Sequence, residues 1–155
     1  MEMNIEKLIW NQDDFDQMGW HDSHVYALAF KNENFELIFD LDYITEWVHP
    51  NETETYFKFW VAPTTLVFKN VHSLNIDLDD SLEILIEEIK RDNPVKAINA
   101  QQLEYDWRIE TSNGLISFKS VGYVQFIREL PELISTQKIG LEKRGGLSFA
   151  ETVPN

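Results

Sequence analysis

The run from Tyr56 to Val71, YFKFWVAPTTLVFKNV, constrains the fold of this chain most, because it is a long apolar and β-branched segment with only two charged residues. Before Pro63 its side chains alternate with the two-residue period of a strand. The run therefore predicts the central strand of a sheet. Proline lacks an N–H and is confined to edges, bulges and strand starts, so we expect either one long strand bent at Ala62-Pro63 or two strands that meet at a corner.

Other segments show the same alternation. VYALAFK and FELIFDLDYI flank a compact loop, Asn32–Asn34, and predict a hairpin in which Asp40 and Asp42 share a face. Two alternating runs later in the chain flank Asn113-Gly114, a pair typical of a two-residue hairpin turn. Gly122 then suggests a bulge or bend before the next strand.

The remaining segments are connections, short helices or ambiguous pieces. A capping residue and early acids predict a short helix over Asn11–Met18. Residues 81–91 fit either a helix or a strand, and their isoleucine content favours a strand. Four further segments are interpreted as follows: 46–55 as a loop, 91–100 as a connection, 131–137 as a closing helix or an extended arm, and 143–146 as a flexible loop.

These patterns predict a single domain, 1–155, that is all-β or β-rich α+β. We expect an antiparallel sandwich or open barrel of about eight strands with one or two short helices, because the strands are closely spaced and joined by short loops. The sequence shows no alternation of strands and helices that would favour a parallel α/β fold.

Composition excludes several classes of site. The 155 residues include no cysteine, which excludes disulfides, thiolate zinc sites and cysteine nucleophiles. The net charge is −14, and residues 1–60 alone hold 13 acids and 3 bases. A field of this sign repels phosphate backbones and anionic lipids and attracts basic proteins. No basic, apolar leader and no long uncharged run is present, so we expect a cytoplasmic protein that binds neither nucleic acid nor membrane.

Several motifs resemble those of a family of small uncharacterised bacterial proteins. They are Trp20-His21-Asp22, the DLDYI segment followed by Trp47, the strand 61–71, the hairpin 107–118, Gly122–Gln125 and the late Arg144-Gly-Gly. The resemblance covers about residues 20–150 and implies no activity. In size and acidity the chain is also similar to immunity proteins that neutralise bacterial toxins.

One cluster has the chemistry of a metal site. His21, Asp22 and His24 precede the predicted hairpin that carries Asp40 and Asp42, and imidazoles with carboxylates are the ligands a cysteine-free site offers to a transition metal. This set would suit a metal-dependent enzyme or sensor. The alternative is that Asp22 stabilises a turn through its own backbone, with the histidines hydrogen-bonded nearby.

Aromatic residues make up 13% of the chain and predict a further candidate surface. Most should fill the core, but Trp20 and Trp47 lie beside polar segments and are expected to be exposed. Tyr43, Trp47, Trp60 and Arg108 could also line a pocket for a small ligand.

We therefore expect a non-catalytic, acidic protein-binding module without a cofactor, such as a toxin-neutralising immunity-type protein, whose residues 11–54 meet a basic partner. The candidate binding residues are Trp20, His21, Asp22, His24, Asp40, Asp42, Trp47 and Arg108. A metal-dependent enzyme or sensor and a small-ligand binder are the alternatives.

Overall fold

The computed structural model describes residues 3, 5–80, 83–97 and 101–155. Within them the chain forms ten strands and one short 3₁₀ helix, Gln12–Gln17. The strands are β1 (Ile9–Asn11), β2 (Ser23–Lys31), β3 (Glu36–Val48), β4 (Lys58–Lys69), β5 (His72–Leu78), β6 (Ile84–Lys96), β7 (Leu103–Thr111), β8 (Gly114–Ser120), β9 (Gly122–Ile127) and β10 (Glu132–Ile134).

All ten strands belong to one antiparallel sheet. Its order is β1-β9-β4-β3-β2-β6-β7-β8-β5, with β10 paired to β4. Val121 alone joins β8 to β9, although these strands lie near opposite ends of the order. The sheet must therefore curl to bring its two ends together, yet it does not close. The predicted all-β antiparallel fold is confirmed, and the arrangement is that of an open barrel.

The Tyr56–Val71 run forms strand β4, which is an interior strand with partners on both edges but is third in the order and not at its centre. It pairs with β3 along one edge and with β9 and β10 along the other, and it continues through Pro63 without a break. The carbonyl of Pro63 accepts a 2.9 Å hydrogen bond from the Arg128 N–H. Because N–H and C=O of one strand residue face the same side, the proline nitrogen faces the gap between the end of β9 and the start of β10. Arg128 continues the register after Ile127, so the proline costs the one hydrogen bond that an N–H at this position would donate to the Arg128 carbonyl.

The inner face of the curled sheet encloses the main core. The ring of Phe68 on β4 lies 5.1 Å from Trp107, 4.8 Å from Phe118 and 5.6 Å from Tyr123, measured between ring centroids. Trp20 also belongs to this core and is only 3% exposed, which contradicts the expectation of an accessible Trp20. Its indole N–H donates to Gln125 Oε1 at 2.8 Å, so the ring is held by polar as well as apolar contacts.

The C-terminal segment, residues 131–155, covers the outer face of β3 and β4. Strand β10 pairs with β4, and Ile134 and Ile139 pack on a small second core formed by Ile44, Phe59 and Val61. Both faces of β3 and β4 are therefore buried. This explains why the β4 sequence is a nearly continuous apolar run instead of a polar and apolar alternation.

Local predictions had mixed outcomes. The 3₁₀ helix lies within the predicted 11–18, and the strand preference for 81–91 is confirmed from residue 84, while 81 and 82 lie outside the described residues. Segment 131–137 is an extended arm. Two connections were placed wrongly: β3 continues to Val48 and β6 to Lys96, whereas 98–100 are not described. The two-residue loop of the late hairpin is Ser112-Asn113, because Gly114 already pairs with Thr111.

Candidate functional site: an exposed aromatic patch beside β3 and β4

Asp40 and Asp42 are completely buried under the C-terminal segment. Asp40 accepts hydrogen bonds at 2.9 Å from both Arg128 and Arg144, and Asp42 accepts one at 3.1 Å from Arg144 Nε. The side chain of Arg144 is itself fully buried and that of Arg128 is 8% exposed. Two carboxylates thus face two guanidinium groups, and the cluster is formally neutral.

Neutral donors complete the coordination of these carboxylates. The Tyr26 hydroxyl donates to Asp42 at 2.6 Å, the Ile139 N–H donates to Asp42 at 2.7 Å, and the Ser148 N–H donates to Asp40 at 2.8 Å. Burial, together with the hydrogen bond to Asp42, raises the pKa of Tyr26. The carboxylates are therefore occupied inside the protein, so Asp40 and Asp42 cannot present their charges to a partner or a metal ion as the sequence suggested.

The structure does not assemble the predicted metal ligands. His21 is exposed, with Nδ1 3.3 Å from Asp22, and Asp22 accepts a 2.6 Å hydrogen bond from Gln137. His24 instead faces Glu83, 3.3 Å away, in a geometry not aligned for a hydrogen bond. Among the described residues, no group of three or more His, Cys, Asp or Glu side chains is arranged to hold a metal ion.

Asp22 occupies a turn, with φ of 65°. Asparagine and aspartate are the residues most tolerant of this left-handed conformation after glycine, which agrees with the structural alternative for the Trp-His-Asp motif. His24 is partly buried, and desolvation lowers its pKa, followed by the positive charge of Lys138; Glu83 and Asp42 oppose this shift. The motif thus shapes the entry into β2.

An exposed group of aromatic rings lies where β3 ends and β4 begins. We call it the aromatic patch and define it as His21, Trp47, His49, Tyr56 and Phe57. Trp47 is 40% exposed, Phe57 38% and Tyr56 80%. The predicted exposure of Trp47 is therefore observed, whereas Tyr56 and Phe57 were not singled out as surface residues from the sequence.

Ring contacts order most of the patch. The Trp47 centroid lies 6.1 Å from that of Phe57 and 6.1 Å from that of His21, and His49 lies 4.9 Å from Phe57. Beneath the surface, Trp47 packs edge-on against the buried Phe59 at 5.0 Å. Pairing of Trp47 with Phe59 across β3 and β4 places these rings at a fixed point on the sheet.

The surroundings of the aromatic patch are acidic. Glu46 and Glu52 lie in the same part of the chain without an ion-pair partner among the described residues, while Glu54 pairs with Lys58 at 3.0 Å. On the other side of His21, a groove of ≈ 500 Å³ is lined by Asp16, Glu87 and Glu88 among others. Glu88 lies 3.6 Å from Lys90, so the acids of the groove without an ion pair among the described residues are Asp16 and Glu87.

The structure separates the residues of the predicted ligand pocket. Tyr43 is buried in the main core, where burial raises its pKa to about 12, and its ring lies 6.2 Å from that of Trp20. Arg108 is exposed on β7 and lies 3.9 Å from Glu110. Since Tyr43 faces the core and Arg108 faces solvent, these two side chains cannot line one pocket with Trp47.

Comparison with other proteins adds no identification. The chain matches no protein-family model, and no curated protein or solved structure is significantly similar to it. The one helix among the described residues, Gln12–Gln17, is far too short to cross a lipid bilayer.

Proposed function

We propose that this protein is a non-catalytic binding module that recognises a basic protein through the aromatic patch. The observation that carries the proposal is the contiguous exposure of Trp47, Phe57 and their neighbouring histidines on a strongly acidic chain. Tryptophan and other aromatic residues are enriched at the energetic centres of interfaces, where a partner can exclude water from them.

The charge around the patch indicates the kind of partner. Glu52 and the groove acids Asp16 and Glu87 would place negative charge beside a docked protein. Complementary charge accelerates association and disfavours acidic partners. A nucleic-acid-cleaving toxin with a basic active-site surface is the partner class that fits the immunity-type expectation.

The buried position of Asp40 and Asp42 changes the expected interface. Of the acidic segment 11–54, the exposed parts are the helix with its following loop, the β2–β3 hairpin loop, and the end of β3 with the loop after it. Only the first and the last of these adjoin the aromatic patch. The sequence hypothesis of a metal-dependent enzyme or sensor has less support, because Asp40 and Asp42 are bound by arginines and no three of the described candidate ligands are arranged to hold a metal ion. The binding hypothesis keeps its basis, because its aromatic anchor is at the surface.

Native mass spectrometry of the protein purified gently from its own cells tests this proposal. We expect the wild-type chain to carry a second, basic polypeptide and the Trp47→Ser/Phe57→Ser variant to lose it. Phe30→Ser is the matched control, since Phe30 is also 40% exposed but lies at the other end of the β2–β3 hairpin. The complex should weaken as the salt concentration rises, because exposed charges are screened.

Two results would contradict the proposal. The first is capture of the same polypeptide by the double variant and by wild type with equal occupancy. The second is an association that is indifferent to salt, which would remove the electrostatic part of the argument. In either case circular dichroism of each variant must show that the fold is retained.

A further inference from the structure

Arg91 on β6 is held inside a cage of aromatic rings. Its guanidinium carbon lies 4.5 Å from the ring centroid of Phe15, 4.5 Å from that of Tyr105 and 5.7 Å from that of Trp107. Stacking of this kind fixes the plane of a guanidinium group and leaves its N–H edge as the part that can form hydrogen bonds.

The polar edge of Arg91 is nearly unused. Its one hydrogen bond within the described residues is a long contact of 3.4 Å from Nη1 to the Gln12 carbonyl. Nε and Nη2 have no partner there and are not sealed from solvent. The other three arginines, Arg108, Arg128 and Arg144, each lie within 4.0 Å of a carboxylate, whereas Arg91 has no such neighbour among the described residues.

Arg91 lines a groove of ≈ 360 Å³ between the 3₁₀ helix and β7. Gln12 and Gln102 also line this groove, and Tyr105 and Leu103 provide an aromatic and an apolar wall. A guanidinium fork with free donors matches two oxygens of a carboxylate or phosphate group. Pockets for small molecules combine apolar walls with a few fixed polar groups in this way.

We propose that this groove binds a small ligand through an oxyanion, carboxylate or phosphate, that is held by the free edge of Arg91. The oxyanion accepts hydrogen bonds from the guanidinium, and the remainder of the ligand lies against Tyr105 and Leu103. This site is separate from the aromatic patch, which lies where β3 and β4 meet, and it does not depend on the proposed function.

The groove contains one group that opposes an anion. Asp13 also lines it and has no side-chain partner among the described residues. Together with the net charge of −14, this carboxylate disfavours anion binding, so saturable binding would require a specific site. Asp13→Asn should therefore strengthen binding, which is the opposite of what loss of a structural residue would do.

Titration of ¹⁵N-labelled protein followed by NMR tests the inference. The probes are inorganic phosphate and acetate at matched ionic strength, and the signals are the Arg91 Nε–H and the Trp107 indole N–H. We expect a saturable shift of the Arg91 signal, about 10-fold weaker binding in Arg91→Lys, which loses the fork, and binding roughly 2- to 5-fold tighter in Asp13→Asn. A response to one probe alone identifies the oxyanion.

Arg108→Lys is the matched control, because Arg108 is exposed and already beside Glu110. In these variants binding is followed at the Trp107 indole N–H. Equal shifts of that signal in the Arg91→Lys and Arg108→Lys proteins would show non-specific ion effects and overturn the inference. So would the absence of a saturable response to either anion in the wild-type protein. If Arg91→Lys does not fold, Asp13→Asn still decides, since unchanged affinity there would place any binding outside this groove.

Discussion

Arg144 Nη1 lies 2.9 Å from Asp40 Oδ2, and neither side chain reaches solvent. The same guanidinium donates to Asp42 and to the carbonyls of Leu41 and Gly146. Its guanidinium carbon also lies over the Tyr26 ring, 4.1 Å from the centroid. Arg144 thereby ties the C-terminal segment to strand β3, 104 residues earlier in the chain.

Removal of Arg144 should destabilise the protein strongly. Arg144→Met leaves two buried carboxylates with one guanidinium, and breaking a buried pair typically costs about 3–5 kcal/mol of unfolding free energy. Arg108→Met, which removes an exposed charge 3.9 Å from Glu110, should cost less than about 1 kcal/mol. Urea unfolding of both variants measures the difference, and similar midpoints for the two would contradict the role of Arg144.

Hydrogen exchange gives a more local test of whether Arg144 holds the C-terminal segment against the sheet. The Ile139 and Ser148 amides donate to Asp42 and Asp40, respectively. In the Arg144→Met protein we expect these amides to exchange much faster than the amides of β7, because the C-terminal segment opens before the sheet. Uniform acceleration across the chain would instead indicate that segment and sheet unfold as one unit.

Charge reversal should have different effects at buried and exposed acids. Asp42→Lys places a cation beside the buried Arg144 and should prevent stable folding. Glu52→Lys changes an exposed residue beside the aromatic patch, so stability should stay within about 0.5 kcal/mol. Only Glu52→Lys can then report on association, and it should weaken the binding of a basic partner. Thermal unfolding and partner titration together separate the two effects.

The sequence predicts the strands well because their alternation and turn residues are local signals. The sequence did not predict that both faces of β3 are buried, since Asp40 and Asp42 have the pattern of the solvent-exposed face of a half-buried strand. Their cations come from Arg128 and Arg144, which lie far along the chain and have no local pattern. One signal was available in the sequence: Asp40 and Asp42 share a face of a strand that was expected to pair near the nearly apolar run 56–71. Acids in such a place are buried, and buried carboxylates require positive charges from elsewhere in the chain.

The late Lys-Arg-Gly-Gly segment shows a second limit of local reasoning. Adjacent glycines predict a flexible loop, yet Arg144 in that segment is fully buried. Gly145 and Gly146 have φ values of 85° and 95°, so they supply the left-handed turn that brings Arg144 to the sheet. The two glycines indicated the turn, but the position of the Arg144 side chain depends on contacts with residues that are distant in the sequence.

His24 should make stability depend on pH in the mildly acidic range. Burial lowers the pKa of His24 in the folded state, so the unfolded chain binds the proton more readily. Stability is then greatest above the unfolded pKa of about 6.5 and falls as the pH decreases through that value. The slope from one such group is at most about 1.4 kcal/mol per pH unit.

The matched variant is His24→Gln, which cannot ionise. Chemical unfolding at several pH values between 7.5 and 5.5 should show a shallower decline for His24→Gln than for wild type. Identical slopes would mean that the negative charges of Glu83 and Asp42 offset the effects of burial and of Lys138 on the His24 imidazole.

Gly114 and Gly122 should respond differently to substitution by alanine. Both have positive φ, 152° and 145°, so a side chain at either position is strained by about 1–3 kcal/mol. At Gly114 an added Cβ would lie 2.0 Å from the Asp77 carbonyl oxygen, which is backbone of the paired strand β5. At Gly122 it would lie 2.7 Å from the side chain of Gln12, which can move.

A double-mutant cycle separates strain from collision. Gln12→Ala removes the colliding atoms, so Gly122→Ala should cost less unfolding free energy in the Gln12→Ala background than in wild type. Gly114→Ala should cost more than Gly122→Ala and gain nothing from Gln12→Ala, because its obstacle is the backbone of β5. If Gln12→Ala and Gly122→Ala are additive in urea unfolding, positive φ alone explains the glycine, and the packing of Gln12 against the β8–β9 junction contributes nothing.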